Sequence, residues 1–171
     1  MTPHDAPAGE LDRRYSSPEA GPTAWDDVRR ALEEAPVYWL ATAGPAGRPH
    51  VTPLIGAWVD GAVWSCTGAG EQKAANLRAS AGCAVTTGCN ELRGGLDVVV
   101  EGDAVPVHDD DRLRPVAAAY EAKYGEEWRF EVRDGVFVGE GGEAVVYEVR
   151  PVTVRAFARD PYAQTRWRLG G

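Results

Sequence analysis

Short runs of aromatic and β-branched residues, set apart by turn signals, constrain this chain more than any other feature. Val37-Tyr-Trp-Leu-Ala-Thr42 ends at the turn Gly44-Pro-Ala-Gly47, and Arg48 to Asp60 forms a second run, bent near Gly56. Asp60-Gly61 then leads directly into Ala62-Val-Trp-Ser-Cys-Thr67. An Asp-Gly pair between two such runs tolerates positive φ at both central turn positions, so it closes a tight antiparallel hairpin. Further runs lie at Gly82–Thr87, at Leu96–Val107 and at Ala144–Ala158, the last broken near Pro151. There is no βαβ alternation and no internal repeat. Hairpins joined in sequence point to a mainly β (α+β) fold, a small antiparallel barrel of six strands with helices in the gaps.

Three segments carry helical signals. Thr23-Ala-Trp-Asp26 reads as a capping box, and Trp25, Val28 and Leu32 recur at helical spacing to give one apolar stripe that Pro36 ends. Glu71 to Ala79 is a short helix. Asp109 to Tyr124 is a longer one, with Asp109, Asp110 and Asp111 at its positive end and a solvated acidic face. Residues 1–22 are Pro, Gly, Ala, Ser and charge with little to bury, which reads as a flexible arm before a domain over 23–171.

The 171 residues suit one domain with a tail, and 44% hydrophobic content can bury a core. No apolar run approaches the ~20 residues of a membrane span, and Met1 to Arg14 lacks the pattern of a secretory signal, so the expected location is the cytoplasm. A net charge of −8 argues against a nucleic-acid partner. That charge is uneven: from Glu101 to Glu148 there are 13 acids and 5 bases, a balance of −8. Beyond that segment Arg150, Arg155, Arg159, Arg166 and Arg168 stand against Asp160, which leaves room for a small anionic ligand. Three cysteines without a C-x-x-C pair exclude a disulfide framework or zinc knuckle and read as small buried thiols on strands. His4, His50 and His108 are far apart and form no metal motif. No G-x-S-x-G surrounds Ser65, which excludes hydrolysis by an activated serine. Trp39, Trp58 and Trp64 read as core or interface residues, and with 16 arginines to 2 lysines each lysine stands out.

One stretch carries chemistry: Arg48-Pro-His-Val-Thr-Pro-Leu54, a hairpin, then Ser65-Cys-Thr-Gly-Ala-Gly-Glu-Gln-Lys73-Ala-Ala-Asn-Leu-Arg78. A strand runs into a glycine-containing turn and then into a helix start, where the amides of Gly70, Glu71 and Gln72 point outward beside Lys73. Such an end with one ammonium is a phosphate site. A loop with an ordinary solvated lysine gives the same pattern. Arg78 also suits a surface ion pair, Asn76 a cap or turn, and His50 a structural histidine.

These motifs, with Trp39-Leu-Ala-Thr42 before them and Tyr162 to Arg168 after, resemble the pyridoxamine 5′-phosphate oxidase-like superfamily of flavin and deazaflavin proteins. The resemblance spans about residues 25–168. It implies a six-stranded antiparallel split β-barrel forming a homodimer, with FMN or coenzyme F420 in each cleft between subunits. It implies that His50, Val51, Thr52 and Pro53 run along the ring, and that Ser65, Cys66 and Thr67 line the ring and ribityl side. Gln72 and Lys73 would hold the phosphate, and Trp167 and Arg168 would reach the partner's cleft. Gln72 stands where the vitamin-forming oxidase is expected to carry an arginine, and Thr165 to Leu169 lacks the histidine of its Arg-Leu-His-Asp-Arg type ending, so oxidation of pyridoxine phosphate itself is not expected. What the resemblance implies instead is an oxidoreductase moving a hydride to or from a small organic substrate, with the late arginines available to the carboxylate tail of F420. The alternatives are a non-catalytic dimer that stores, carries or senses a flavin, F420 or heme, and a barrel that has lost its cofactor.

Overall fold

The computed structural model describes residues 7–169. Eleven strands and three α-helices occur among them: β1 (Glu10–Leu11), α1 (Trp25–Glu34), β2 (Tyr38–Ala43), β3 (Pro49–Leu54), β4 (Gly56–Val59), β5 (Ala62–Thr67), α2 (Gln72–Ala79), β6 (Gly82–Thr87), β7 (Leu96–Val107), α3 (Asp110–Tyr124), β8 (Glu131–Arg133), β9 (Val136–Gly139), β10 (Gly142–Ala158) and β11 (Ala163–Arg168). All pairings are antiparallel, and the main path runs β1-β11-β10-β7-β6-β2-β3 without closing.

β10 organises this sheet. One edge pairs with β7 from Val146 to Ala158. The other edge takes β5 from Val145 to Val149 and then β11 from Thr153 to Ala158. The change of partner falls at a bulge between Pro151 and Thr153, where Pro151 has no N–H to give a ladder. Gly102 lies opposite Pro151, and a β-carbon there would collide with the Arg150 carbonyl oxygen. Only glycine lets the two backbones approach at this point. The strand expected to break near Pro151 therefore bends and continues.

Two apolar layers result. On the inner face, Val28 and Leu32 of α1 pack with Tyr38, Leu40, Val63, Val85, Val98, Val100, Val149, Val154 and Trp167. On the other side of β5, Leu113, Val116 and Tyr120 of α3 pack with Trp64, Val146 and Phe137. β5 is thus buried on both faces, and its alternation sends Val63 to one layer and Trp64 to the other. Each fully buried aliphatic side chain contributes roughly 1.5–3 kcal/mol. Among the described residues no helix is long and apolar enough to cross a membrane.

The expectation of six strands is corrected to eleven. The second run splits into β3 and β4 at Ile55, and β1, the hairpin β8–β9 and β11 are additional. The capping box is absent as well. The Thr23 amide donates to the Thr165 hydroxyl at 2.9 Å, so Ala24 becomes the cap and the Thr23 hydroxyl has no partner. The composition-based flexible arm is overturned where the structure describes it. Glu10 and Leu11 pair with Arg166 and Thr165, the Asp12 and Ser17 amides bond to the carbonyls of Gln164 and Tyr162 at 2.8 Å, and Ala20 is buried. Main-chain hydrogen bonds to the edge of β11 hold this segment, and hydropathy does not register them. Residues 1–6 lie outside the described residues.

Trp167 is 1% exposed and meets Trp25 edge-on at 5.4 Å between ring centroids. Trp167→Ala should cost about 3–5 kcal/mol in chemical denaturation, whereas Arg168→Ala, which removes an exposed ion pair to Glu10, should cost under about 1 kcal/mol. Equal effects would place the indole outside the core.

Lys123, near the end of α3, donates to the Tyr38 hydroxyl at 3.1 Å and the Gly56 carbonyl at 3.2 Å, and its ammonium sits over the rings of Tyr38 and Tyr124. Burial pulls its pKa from 10.5 down to about 8. The folded state then holds less of this proton than the unfolded chain between those values, so this group adds stability as pH rises through that window. The thiols of Cys66 and Cys83, which burial pushes from 9.0 up to about 11, act in the opposite sense above their unfolded value. Comparing wild type with Lys123→Met isolates the lysine: wild type should gain stability relative to the variant between pH ~7.5 and ~9.5. A constant difference would refute the assignment.

Candidate functional site

β5 ends at Thr67, and Gly68 to Gly70 turn the chain into α2. Three donors converge there on one carboxylate. The Thr67 hydroxyl and the Gly68 amide donate to Glu71 Oε1 at 2.8 and 2.9 Å, and the Lys73 ammonium pairs with Glu71 Oε2. The Lys73 side chain is only 12% exposed, while that of Glu71 is 51% exposed. The hydrogen bond from Lys73 is the main cause that holds the Glu71 carboxyl below the usual carboxylate range; those from Thr67 and Gly68 add to it, against partial burial. Arg78 Nη1 donates to the Ala69 carbonyl at 2.9 Å and braces the turn. The Glu71 amide, expected to be free, donates to the Gly68 carbonyl at 3.0 Å.

A polar chain, buried at Asn76 and Thr42, fastens α2 to the sheet. Gln72 Nε2 donates to Asn76 Oδ1 at 2.8 Å, and Asn76 Nδ2 donates to Thr42 Oγ1 at 2.9 Å. Thr42 in turn reaches the His50 carbonyl at 3.4 Å. Asn76 is 1% exposed, so truncating it would strand buried partners at about 1–3 kcal/mol.

β3 forms one end of the sheet path and pairs with β2 alone. His50 stands opposite Thr42, Thr52 opposite Leu40 and Leu54 opposite Tyr38, which puts these three on the inner face. Pro49, Val51 and Pro53 alternate onto the outer face and are exposed. Proline is tolerated in a strand where its nitrogen faces the free edge, so the two prolines place the polar backbone of Pro49, Val51 and Pro53 on that edge. On the inner face His50 Nδ1 and Thr52 Oγ1 are buried and have no partner. Uncompensated polar atoms of this kind are costly in a folded chain, and Thr23 Oγ1, Trp25 Nε1, Arg166 Nε and Trp167 Nε1 share that state.

The structure thus joins Thr67 and Lys73 on Glu71, whereas Gln72, expected beside Lys73, turns its amide to Asn76, which links through Thr42 to His50 and its strand. Ser65 is buried on the same face of β5 as Thr67. Cys66 points the other way, into the layer under α3, and burial pushes its thiol up to about 11. That removes it from the ring-lining set. Trp167 is turned into the core and cannot extend to another subunit, and Arg168 pairs with Glu10 at 3.3 Å. The late arginines are likewise engaged: Arg150 with Glu148, Arg155 with Glu101, Arg159 with Asp97 and Arg166 with Glu10. Cys89 is exposed in a loop beside Arg159 rather than buried on a strand. Glu71 and Thr42 are the residues that sequence reasoning missed. An acid two positions before the lone lysine of a turn was the available signal for the first.

Outward from β2 and β3, Trp39 is 47% and Val51 54% exposed, next to Ala41 and Ala84. Trp39 is therefore a surface residue, while Trp64 lies in the core and donates to the Val59 carbonyl at 3.1 Å.

Several solved structures share this architecture. A conserved hypothetical protein of Mycobacterium tuberculosis, Rv2991, is 20% identical, with a TM-score of 0.64 over 87% of this chain and 89% of that one. A heme binding protein from Mycobacterium smegmatis is 17% identical with a TM-score of 0.68, covering 85% of this chain and 58% of that one. An FAD binding protein from Mycobacterium smegmatis is 16% identical with a TM-score of 0.54, covering 86% and 96%. At these identities the likeness is one of fold. No curated protein matches the chain in sequence. The family model for pyridoxamine 5′-phosphate oxidase, however, matches residues 24–158, which take in α1 through β10 with β3 and the whole β5–α2 turn, and the chain belongs to that family.

Proposed function

We propose that this protein is a homodimeric oxidoreductase that holds FMN or coenzyme F420, with its phosphate in the β5–α2 cradle and its ring along β3. The observation that carries the reading is the convergence of the Thr67 hydroxyl, the Gly68 amide and the Lys73 ammonium on a single pair of carboxylate oxygens. These donors are fixed by the strand end, the braced turn and the helix, and they are arranged to receive an oxyanion before any ligand arrives. The unpartnered His50 Nδ1 and Thr52 Oγ1 and the free backbone edge of β3 fit a flat heterocycle rich in polar atoms. Either cofactor, when bound, supplies hydride transfer through its central ring.

The chain's own residues position and shield. Lys73 and Thr67 anchor the phosphoryl end, and Val51 offers backbone polar groups at the edge. The Asn76–Thr42 link holds strand and helix in one frame, so that both ends of a ligand are gripped by parts that do not move independently. The apolar outer surface around Trp39 and Val51 supports burial against a second copy, which would exclude water from the cleft. A non-catalytic holder of the same ligand is the second reading. It is favoured by the absence, among the described residues of the cradle, of any carboxylate–histidine pair for proton transfer.

Titration with FMN and with F420, followed by ring fluorescence, tests the reading. Lys73→Ala should weaken binding about 10- to 100-fold, the worth of one charge-assisted phosphate contact. Unchanged affinity would remove the phosphate assignment. Turnover of a reduced cofactor with quinones or other enones identifies the oxidoreductase, whereas tight binding without turnover identifies the holder.

Val51→Glu would place a charge in the surface assigned to the second copy. The variant should sediment as a monomer and lose cofactor affinity, while wild type sediments as a dimer. A wild-type monomer that still binds the cofactor would overturn the interface.

A further inference from the structure

We infer that Lys123 is a site of Nζ acylation by small acyl phosphates, set apart from the chain's one other lysine by its enclosure between the end of α3 and the start of β4.

The two lysines are held in opposite ways. Lys73 forms an ion pair with Glu71, which deprotonation would break. Lys123 meets no carboxylate within ion-pair distance among the described residues, and Glu121, two positions earlier on α3, pairs with Arg129 instead. Its ammonium faces the Tyr38 hydroxyl of β2 at 3.1 Å and the Gly56 carbonyl of β4 at 3.2 Å. It also lies 4.7 Å from the ring centroid of Tyr38 and 5.3 Å from that of Tyr124. Both phenols donate elsewhere, Tyr38 to the Leu32 carbonyl of α1 and Tyr124 to the Gly56 carbonyl. Burial pushes both phenols up, so neither supplies an anion that would hold the ammonium. Glu33 of α1, whose charge acts on Tyr38, is itself paired with Arg29.

An ammonium carries three protons, and two hydrogen-bond acceptors face this one. Loss of the third proton costs no hydrogen bond and frees a lone pair. Burial, which brings this group down to about 8, then leaves about half of it neutral at pH 8, where an ordinary lysine is roughly 0.3% neutral. The side chain is half-buried rather than sealed, so a small donor has access to it. Desolvation of this kind makes a lysine a nucleophile.

In the step itself the neutral Nζ attacks the acyl carbon of the acyl phosphate. A C–N bond forms, the bond from that carbon to the bridging oxygen breaks, inorganic phosphate leaves with the electron pair, and the extra proton on nitrogen passes to solvent. Nothing is oxidised or reduced. The product amide has no charge to desolvate, and its remaining N–H can still donate to the Gly56 carbonyl. Gly56 opens β4 directly after β3 and Ile55, so the modified group borders the strand that carries His50 and Thr52.

Competition between the two lysines of the wild-type protein tests this. The protein is incubated with acetyl phosphate over a pH series, then unfolded and fully acetylated with deuterated acetic anhydride, so that mass spectrometry gives the fraction first modified at each lysine. At pH 8 Lys123 should react about tenfold faster than Lys73, the gain in neutral amine being partly offset because a weaker base is a weaker nucleophile. The Lys123 rate should level off above pH ~9. In guanidinium chloride the two lysines should react alike. A folded protein in which Lys73 reacts as fast as Lys123 or faster, a preference for Lys123 that survives unfolding, or a Lys123 rate that keeps climbing through pH ~10 would each overturn the inference.

Discussion

A strand that changes partners halfway along its length is the constraint on which the rest of this molecule depends. After a short pairing with β9, β10 gives one edge to β7 from Val146 to Ala158 and divides the other between β5 and β11, and the division falls at Pro151. Because β5 pairs only with the first half, its end at Thr67 is released from the sheet opposite Val145. The chain must turn there, and the turn becomes the cradle. Because β11 takes the second half, Trp167 is carried into the core against Trp25. A straight β10 with one partner per edge would have supplied neither. Gly102 is the residue that permits this, since any side chain there would push the bulge apart.

The site is assembled from two elements that the fold would otherwise leave separate. α2 has only eight residues, too few to be stable alone. It is held by Leu77 in the core and by the Gln72–Asn76–Thr42 chain, which ends at the strand carrying His50 and Thr52. A fully satisfied buried amide such as Asn76 fixes direction more sharply than an apolar contact, because any rotation leaves a polar group stranded. His50 Nδ1 and Thr52 Oγ1 are among six buried side-chain atoms without a partner in the described residues.

Much of the architecture was legible. The runs at 62–67, 82–87 and 96–107 match β5, β6 and β7, and the stripe of Trp25, Val28 and Leu32 faces the core in α1. These signals are local and periodic. Pairing without a hydrophobic signature was not legible: the short β1 is held by backbone bonds to β11, and hydropathy sees only polar residues there. The hairpin β8–β9 carried its own marker in Asp134-Gly135, both at positive φ like Asp60-Gly61, and reading it with the same weight would have found it. In the site, Thr67 was expected beside the ring and Lys73 on the phosphate, and the structure sets both on Glu71. The role of Glu71 was not legible, because a carboxylate beside a lysine reads as a solvated pair until its second oxygen is seen on Thr67 and Gly68. Trp167 went astray for the opposite reason: a motif suggested reach, while the alternation of β11 turned the indole inward.

The distribution of charge gives the site its meaning within the whole molecule. The arginines of the last strands, which as a sequence look like an open basic patch, are all in ion pairs, Arg155 with Glu101, Arg159 with Asp97, Arg150 sharing Glu148 with Arg112, and Arg166 and Arg168 sharing Glu10. Most of these pairs are partly exposed and contribute little to stability individually. Lys73 differs from them in being largely enclosed while its partner carboxylate is half in water. An enclosed cation needs a counter-charge whether or not a ligand is present. A carboxylate on a short tether meets that need from the solvent side. The lysine and the glutamate are therefore best understood together: the enclosed ammonium requires an anion, and Glu71 supplies one from two residues away.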